Sequence, residues 1–221
     1  MQTHWKRFTP QNPFAYVLLL VTGGCEQRPD VMAPPPWNPT ATGQRAIELY
    51  DTNHDGTING TELQQCPGLQ DSLLVADFDA DGALSAEEIS ARVEWYKTSG
   101  FVLVPFEVQI KNAGEPVVGA KVTMIPEKLF VDTIEHATGI TDSVGRVTPT
   151  IDHPDTTNSI LRGLRPGMYR CQISVRNLQE DNTPPDTYDT VSEFGFEIGP
   201  GHHVGGLTII DIVSGPQTVR R

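Results

Sequence analysis

Two twelve-residue segments, 51–62 and 77–88, repeat one spacing of oxygen-bearing side chains. In the first, Asp51, Asn53, Asp55, Asn59 and Glu62 stand at positions one, three, five, nine and twelve. In the second, Asp77, Asp79, Asp81, Ser85 and Glu88 take the same places. Such donors suit a hard divalent cation, and calcium takes about six to eight oxygens. Position seven contributes only a backbone carbonyl, so Thr57 and Ala83 both qualify, and position nine often acts through water. Gly56 and Gly82 fall where the chain must turn sharply. The second segment offers four ligand carboxylates and the first offers three. Because ligand charge tunes affinity, the second is expected to hold its ion more tightly.

These loops need elements to aim them. Gln44 to Tyr50 has few breakers and puts Ile47 and Tyr50 on one face, which predicts an entering helix. Glu62 to Cys66 reads as a short exit helix stopped by Pro67-Gly68. Asp71 to Ala76 leads into the second loop. Ser85 to Trp95 predicts a longer exit helix with Ile89, Val93 and Tyr96 as its inner stripe. The two segments resemble the EF-hand family, which implies Ca2+ as the bound ion and a short backbone bridge between the paired loops at position eight, where Ile58 and Leu84 stand. The repeat period is 26 residues, similar to the compact pairs of secreted bacterial proteins. That spacing leaves little room for a helix swing and favours structural over sensing use of calcium.

The first residues read as an export leader. Lys6 and Arg7 precede the apolar run Phe14 to Val21, which is too short to span a bilayer as a mature anchor. Thr22-Gly23-Gly24-Cys25 follows and resembles a bacterial lipobox, although Thr22 stands where that family usually has Leu. The resemblance implies lipidation of Cys25 after removal of residues 1–24. Ordinary signal cleavage nearby and an uncleaved anchor are the other readings. Residues 25–40, with Pro29, Pro34, Pro35, Pro36 and Pro39, are expected to form an extended tether without a fold.

Net charge is −12, much of it in the two loops. An acidic chain is a poor partner for nucleic acid. Cys66 and Cys171 are the cysteines besides Cys25. In an oxidising compartment they could pair; alternatively they are two buried free thiols, one ending a helix and one in an apolar strand.

Strand patterns dominate from Phe101 onward. Phe106, Val108 and Ile110 alternate onto one face, and Val117 to Ile125 follows the turn Asn112 to Pro116. Ile140 to Ile151 reads as strand, turn, strand. Arg170 to Val175, Phe194 to Ile198 and Leu207 to Val213 bring the total to about seven, as in a sandwich. Gly114-Glu-Pro-Val-Val-Gly-Ala-Lys-Val122, Thr141-Asp-Ser-Val-Gly-Arg146 and Pro166-Gly-Met-Tyr169 occur in that order. They resemble the carboxypeptidase regulatory-like, transthyretin-like β-sandwich family. Gly145 and Gly167 would permit hairpin geometry, and Ala120 and Tyr169 would pack between sheets. Two longer loops, 126–138 and 152–158, are where such a scaffold would place binding.

Intradiol dioxygenases use a related sandwich with iron held by tyrosines and histidines, so His202-His203 is the pair to weigh. Adjacent residues on a strand point to opposite faces, which disfavours ligation of one metal by both. Hydroxyisourate hydrolases share the transthyretin fold but end in Tyr-Arg-Gly-Ser, whereas this chain ends Thr-Val-Arg-Arg. No nucleophile elbow, phosphate loop or zinc spacing is present.

The sequence therefore reads as a multidomain chain. A leader (1–24) and tether (25–40) precede a small all-α EF-hand pair (41–99). An all-β, seven-stranded Ig/transthyretin-like sandwich (100–214) and a tail (215–221) follow. The expected role is calcium binding by an exported, lipid-anchored, non-enzymatic protein of the cell envelope. The sandwich would be structural or would bind an envelope protein or glycan. A dockerin-like assembly module is the alternative from another class; dockerin repeats lack helices entering each loop.

Overall fold

A computed structural model divides the chain into two units, Met1–Asp30 and Val31–Arg221. The described residues are 32–151, 162–176, 188–199, 206–212 and 218–220, all in the second unit. The expected leader and Cys25, the loop 152–158 and His202-His203 lie outside them. No helix among the described residues is long and apolar enough to cross a membrane.

The helical part runs α1 (Pro39–Tyr50), β1 (Thr57–Asn59), α2 (Gly60–Leu63), α3 (Pro67–Ala76), β2 (Ala83–Ser85) and α4 (Ala86–Ser99). Asn38 caps α1 by accepting the Ala41 amide at 3.3 Å, and Pro39 sits in the first turn, so this helix begins well before Gln44. Pro67 likewise opens α3 rather than stopping its predecessor. Proline lacks only an amide that the first turn leaves unpaired anyway. The helix α4 buries the predicted stripe of Ile89, Val93 and Tyr96 completely. It ends at Gly100 in the left-handed conformation, φ 71°.

The remaining strands form two five-stranded sheets. One is ordered β10 (Tyr188–Ile198), β9 (Gly167–Arg176), β5 (Lys121–Pro126), β6 (Ala137–Ile140) and β8 (Thr150–Ile151). The other is ordered β12 (Thr218–Arg220), β11 (Leu207–Asp211), β3 (Glu107–Asn112) and β4 (Glu115–Pro116), with β7 (Arg146–Val147) also on β3. Pairing is antiparallel except for β11 with β3. The expected tail contributes β12, which pairs with β11.

Phe106, Val108 and Ile110 point inward as their alternation requires, and the Phe106 and Phe196 rings lie 5.4 Å apart. Ala120 and Tyr169 are fully buried. Gly145 adopts φ 74°, and a Cβ there would lie 2.6 Å from the Ile110 carbonyl, so glycine is required. Thr141 and Asp142 are turn pins. The Thr141 hydroxyl donates to the Val117 carbonyl at 2.7 Å and accepts the Ala120 amide at 2.8 Å. Asp142 accepts the amides of Val144 and Arg146, both at 2.9 Å. Those bonds to Arg146 and Val144 hold its carboxyl below the usual range.

Helices and sheets share one apolar core, in which Tyr50, Leu69 and Tyr96 join Phe130, Tyr169 and Phe196. Strand β10 shows how. Phe194, Phe196 and Ile198 face the sheet-side core, whereas Glu197, of opposite parity, is buried too. Its amide donates to Asp71 of α3 at 2.9 Å. Within the expected tether, 25–40, residues 32–38 have no helix or strand, but Pro39 and Thr40 already belong to α1 and the segment is not free. Met32 and Pro35 are buried, and Arg165 donates to the Ala33 carbonyl at 2.9 Å. Cys66 and Cys171 are both buried and unbridged, so the weighed disulfide is not formed. Burial pushes each thiol up to about 12, with nearby Glu127 adding to the effect on Cys66 and Glu193 to that on Cys171.

Candidate metal centre

Both predicted loops are built, and they are built alike. The helices α1 and α3 enter them, while α2 and α4 leave them. Strands β1 and β2 join them in the predicted antiparallel bridge, with Ile58 opposite Leu84 and both fully buried. The backbone repeats its departures from ordinary geometry. Position four is left-handed in each loop, His54 at φ 60° and Ala80 at φ 59°. Position six follows, Gly56 at φ 91° and Gly82 at φ 83°.

The hydrogen bonds repeat as well. Asp51 accepts the amides of Asp55 at 3.2 Å and Gly56 at 2.9 Å. Asp77 accepts those of Asp81 and Gly82 at the same two distances. Asp55 and Asp81 each accept the amide two residues on, at 2.9 and 2.8 Å. Asn53 and Asp79 accept the position-five amide at 2.8 and 3.3 Å. These turns curl each loop around its own carboxylates; Asp51 is buried, while Asp55, Asp79 and Asp81 remain exposed to solvent.

The position-twelve glutamates close the rings. Glu62 accepts the Thr52 amide at 2.8 Å through one oxygen and the Asn59 amide at 3.2 Å through the other. Glu88 accepts the Phe78 amide and the Ser85 amide, both at 2.9 Å. Since Ser85 caps α4 and accepts the Glu88 amide at 3.3 Å, the expected ligand is also the third residue of a capping box. Helix capping and loop closure thus use the same side chain.

Electrostatics distinguishes the loops. Oxygens of Asp77, Asp79 and Asp81 all lie within 4.8 Å of one another. The Asp81 amide pulls Asp79 down, but desolvation and repulsion from Asp81, Glu88 and Asp77 outweigh it, so its pKa is raised. In the first loop Asn53 replaces the central acid. Asp55 there lies below its ordinary value, chiefly through the Thr57 amide and the Asn53 side chain. Glu62 is lowered too, mainly by the Asn59 amide, and Glu88 is lowered because bonds from Ser85 and Phe78 exceed its desolvation. Carboxylates crowded at one point, wrapped by backbone amides and offering only oxygen, fit a hard divalent cation.

Sequence reasoning missed two acids that fix this assembly to the sheets. Glu127, just after β5, is 2% exposed and accepts the Tyr50 hydroxyl at 3.1 Å and the Gly68 amide at 2.9 Å. Glu197 is fully buried, accepts the Tyr96 hydroxyl at 2.6 Å and pairs with Arg92 of α4. The parity of Glu197 beside two inward phenylalanines was the available signal: an acid there is exposed only if the outer face of the strand is bare.

The EF hand family model matches residues 44–67, which span the latter part of α1, the first loop and α2; the second loop lies beyond the match. A search of curated proteins finds no match. Among solved structures, (S)-allantoin synthase is 10% identical, with 81% of this chain and 69% of that one covered at a TM-score of 0.32. That similarity is too slight to bear on fold or activity. The chain carries an EF hand, and Ca2+ is the ion it binds.

Proposed function

We propose that both loops hold calcium in an exported, lipid-anchored protein of the cell envelope that is not an enzyme. The first loop's ligands are Asp51, Asn53, Asp55, the Thr57 carbonyl, Asn59 through water, and Glu62. The second loop's are Asp77, Asp79, Asp81, the Ala83 carbonyl, Ser85 through water, and Glu88. Bound calcium would neutralise their crowded charge and tie each loop to its exit helix. The observation that carries this reading is the bond-for-bond repetition of one carboxylate-centred turn in both loops.

The sheets serve as a carboxypeptidase regulatory-like, transthyretin-like sandwich that gives the calcium pair a rigid seat or binds an envelope protein or glycan. Support comes from the Thr141-Asp142 and Gly145 turn, whose residues pin the passage from β6 in one sheet to β7 in the other, where the expected hairpin is not formed. The presence of α1 and α3 before the loops favours this over a dockerin-like module. Export and lipidation of Cys25 rest on the leader sequence alone.

Elemental analysis and N-terminal mass spectrometry of the mature protein test the proposal in one sample. Two calcium ions per chain and a lipidated cysteine are expected; bound iron or an intact leader would overturn the corresponding part. Calorimetric titration ranks the loops. Glu88→Gln should cost more affinity than Glu62→Gln, and the reverse order would reject the charge argument.

A further inference from the structure

The two flanks of the first helix-loop-helix unit, the end of α1 and the start of α3, are fastened to one carboxylate of the sheet part. Tyr50, the last residue of α1, directly precedes Asp51; its hydroxyl donates to Glu127 and accepts the Lys128 amide at 3.3 Å. On the far side of the loop, Gly68 at the start of α3 donates its amide to the other Glu127 oxygen. Between them, the Gln65 carbonyl accepts a hydrogen bond from Arg170 of β9 at 2.8 Å, and that guanidinium lies 3.8 Å from Glu127. The backbones also meet closely here. A Cβ on Gly68 would lie 2.8 Å from the Tyr169 amide, and one on Gly195 would overlap the Pro67 carbonyl. The second loop is moored elsewhere, by Asp71 and α4 to Glu197.

We propose that Glu127 is a positioning residue for the first calcium loop, through which ion binding and the stability of β5 and β9 become one coupled equilibrium. The inference rests on calcium occupying that loop. A loop whose flanks are already fixed loses less freedom when it closes on an ion, so affinity rises. Reciprocity then requires the ion to stabilise the strands that carry the mooring.

The Gly56 and Gly82 amides, each 2.9 Å from its position-one carboxylate, report the loops separately in a calcium titration followed by NMR. In the full chain, Tyr50→Phe and Glu127→Ala should each weaken the first loop by on the order of tenfold while leaving the second unchanged. Glu127→Gln should recover most of the loss, because its carbonyl still accepts the Gly68 amide. Calcium should slow hydrogen exchange of residues 170–174 in the wild type and fail to do so in Tyr50→Phe.

Equal affinity of Tyr50→Phe and wild type for the first loop would overturn the coupling, as would equal losses at both loops. Should Glu127→Ala not fold, Tyr50→Phe still decides, since it removes a single oxygen. A wild type that binds no calcium would sink the functional reading as well; one that binds alongside equally competent variants sinks the coupling alone.

Discussion

Stripping calcium should lower the melting temperature of the whole Val31–Arg221 unit, not only of its helices. The reason is the shared core: Tyr50, Leu69 and Tyr96 pack with Phe130, Tyr169 and Phe196, so no apolar boundary lets the helices melt alone. A ligand that binds only the native state stabilises it by about 2.7 kcal/mol at one hundred times its dissociation constant. Two independent loops give about 5.4 kcal/mol. For a unit of this size each kcal/mol moves the midpoint by about 2–4 °C, so the expected shift is about 11–22 °C. The assay compares melts in saturating calcium and in excess chelator, read by tryptophan fluorescence and by far-ultraviolet ellipticity. Trp37 and Trp95 pack on Tyr96 at ring separations of 5.8 and 5.7 Å and report the helix side, while ellipticity includes the sheets. Coincident transitions that move together are expected. A sheet transition that stays in place when calcium is removed would refute the single-unit reasoning, even if the helices respond.

Two further outcomes follow from the junction. Gly195→Ala forces a methyl into the Pro67 carbonyl, and overpacking of about 1–3 kcal/mol should lower the midpoint by about 2–12 °C; an unchanged melt would show that α3 does not lie against β10. Burial raises the Glu127 carboxyl against the opposing pull of the Gly68 amide, Arg170 and Tyr50. The native protein therefore holds that proton more readily than the unfolded chain. Its stabilising contribution is complete below the unfolded glutamate value and is lost as pH rises through the raised one. The melting temperature of wild type relative to Glu127→Gln should thus climb as pH falls from neutrality toward the ordinary glutamate range, and a relative decline would contradict the assignment.

The loops were legible because their chemistry is local. Twelve consecutive residues dictate the ligand spacing, the glycine turn and the capping glutamate, and no distant contact is needed to see them. The inner stripe of α4 and the alternation around Phe106 were legible for the same reason. Helix starts were not, because a proline reads as a stop until the residue before it is known to be an N-cap, as with Asn38 before Pro39 and Cys66 before Pro67. Residues 218–220 lack a pattern of their own and become β12 only by pairing with β11. Glu127 was hidden for a related reason. In a loop after Pro126 an acid looks like ordinary surface charge, and its burial depends on helices about sixty to eighty residues earlier in the chain.

The mooring also bears on where this chain can be cut. A fragment ending at Gly100 would carry the Tyr96 ring and hydroxyl into water, stripped of Phe130 and Glu197, and would leave the Gly68 amide and Gln65 carbonyl without the acceptor and donor that the sheets supply. The ion-binding pair is therefore not a portable cassette. Grafts or deletions that respect its sequence limits would divide a single folding piece through its middle.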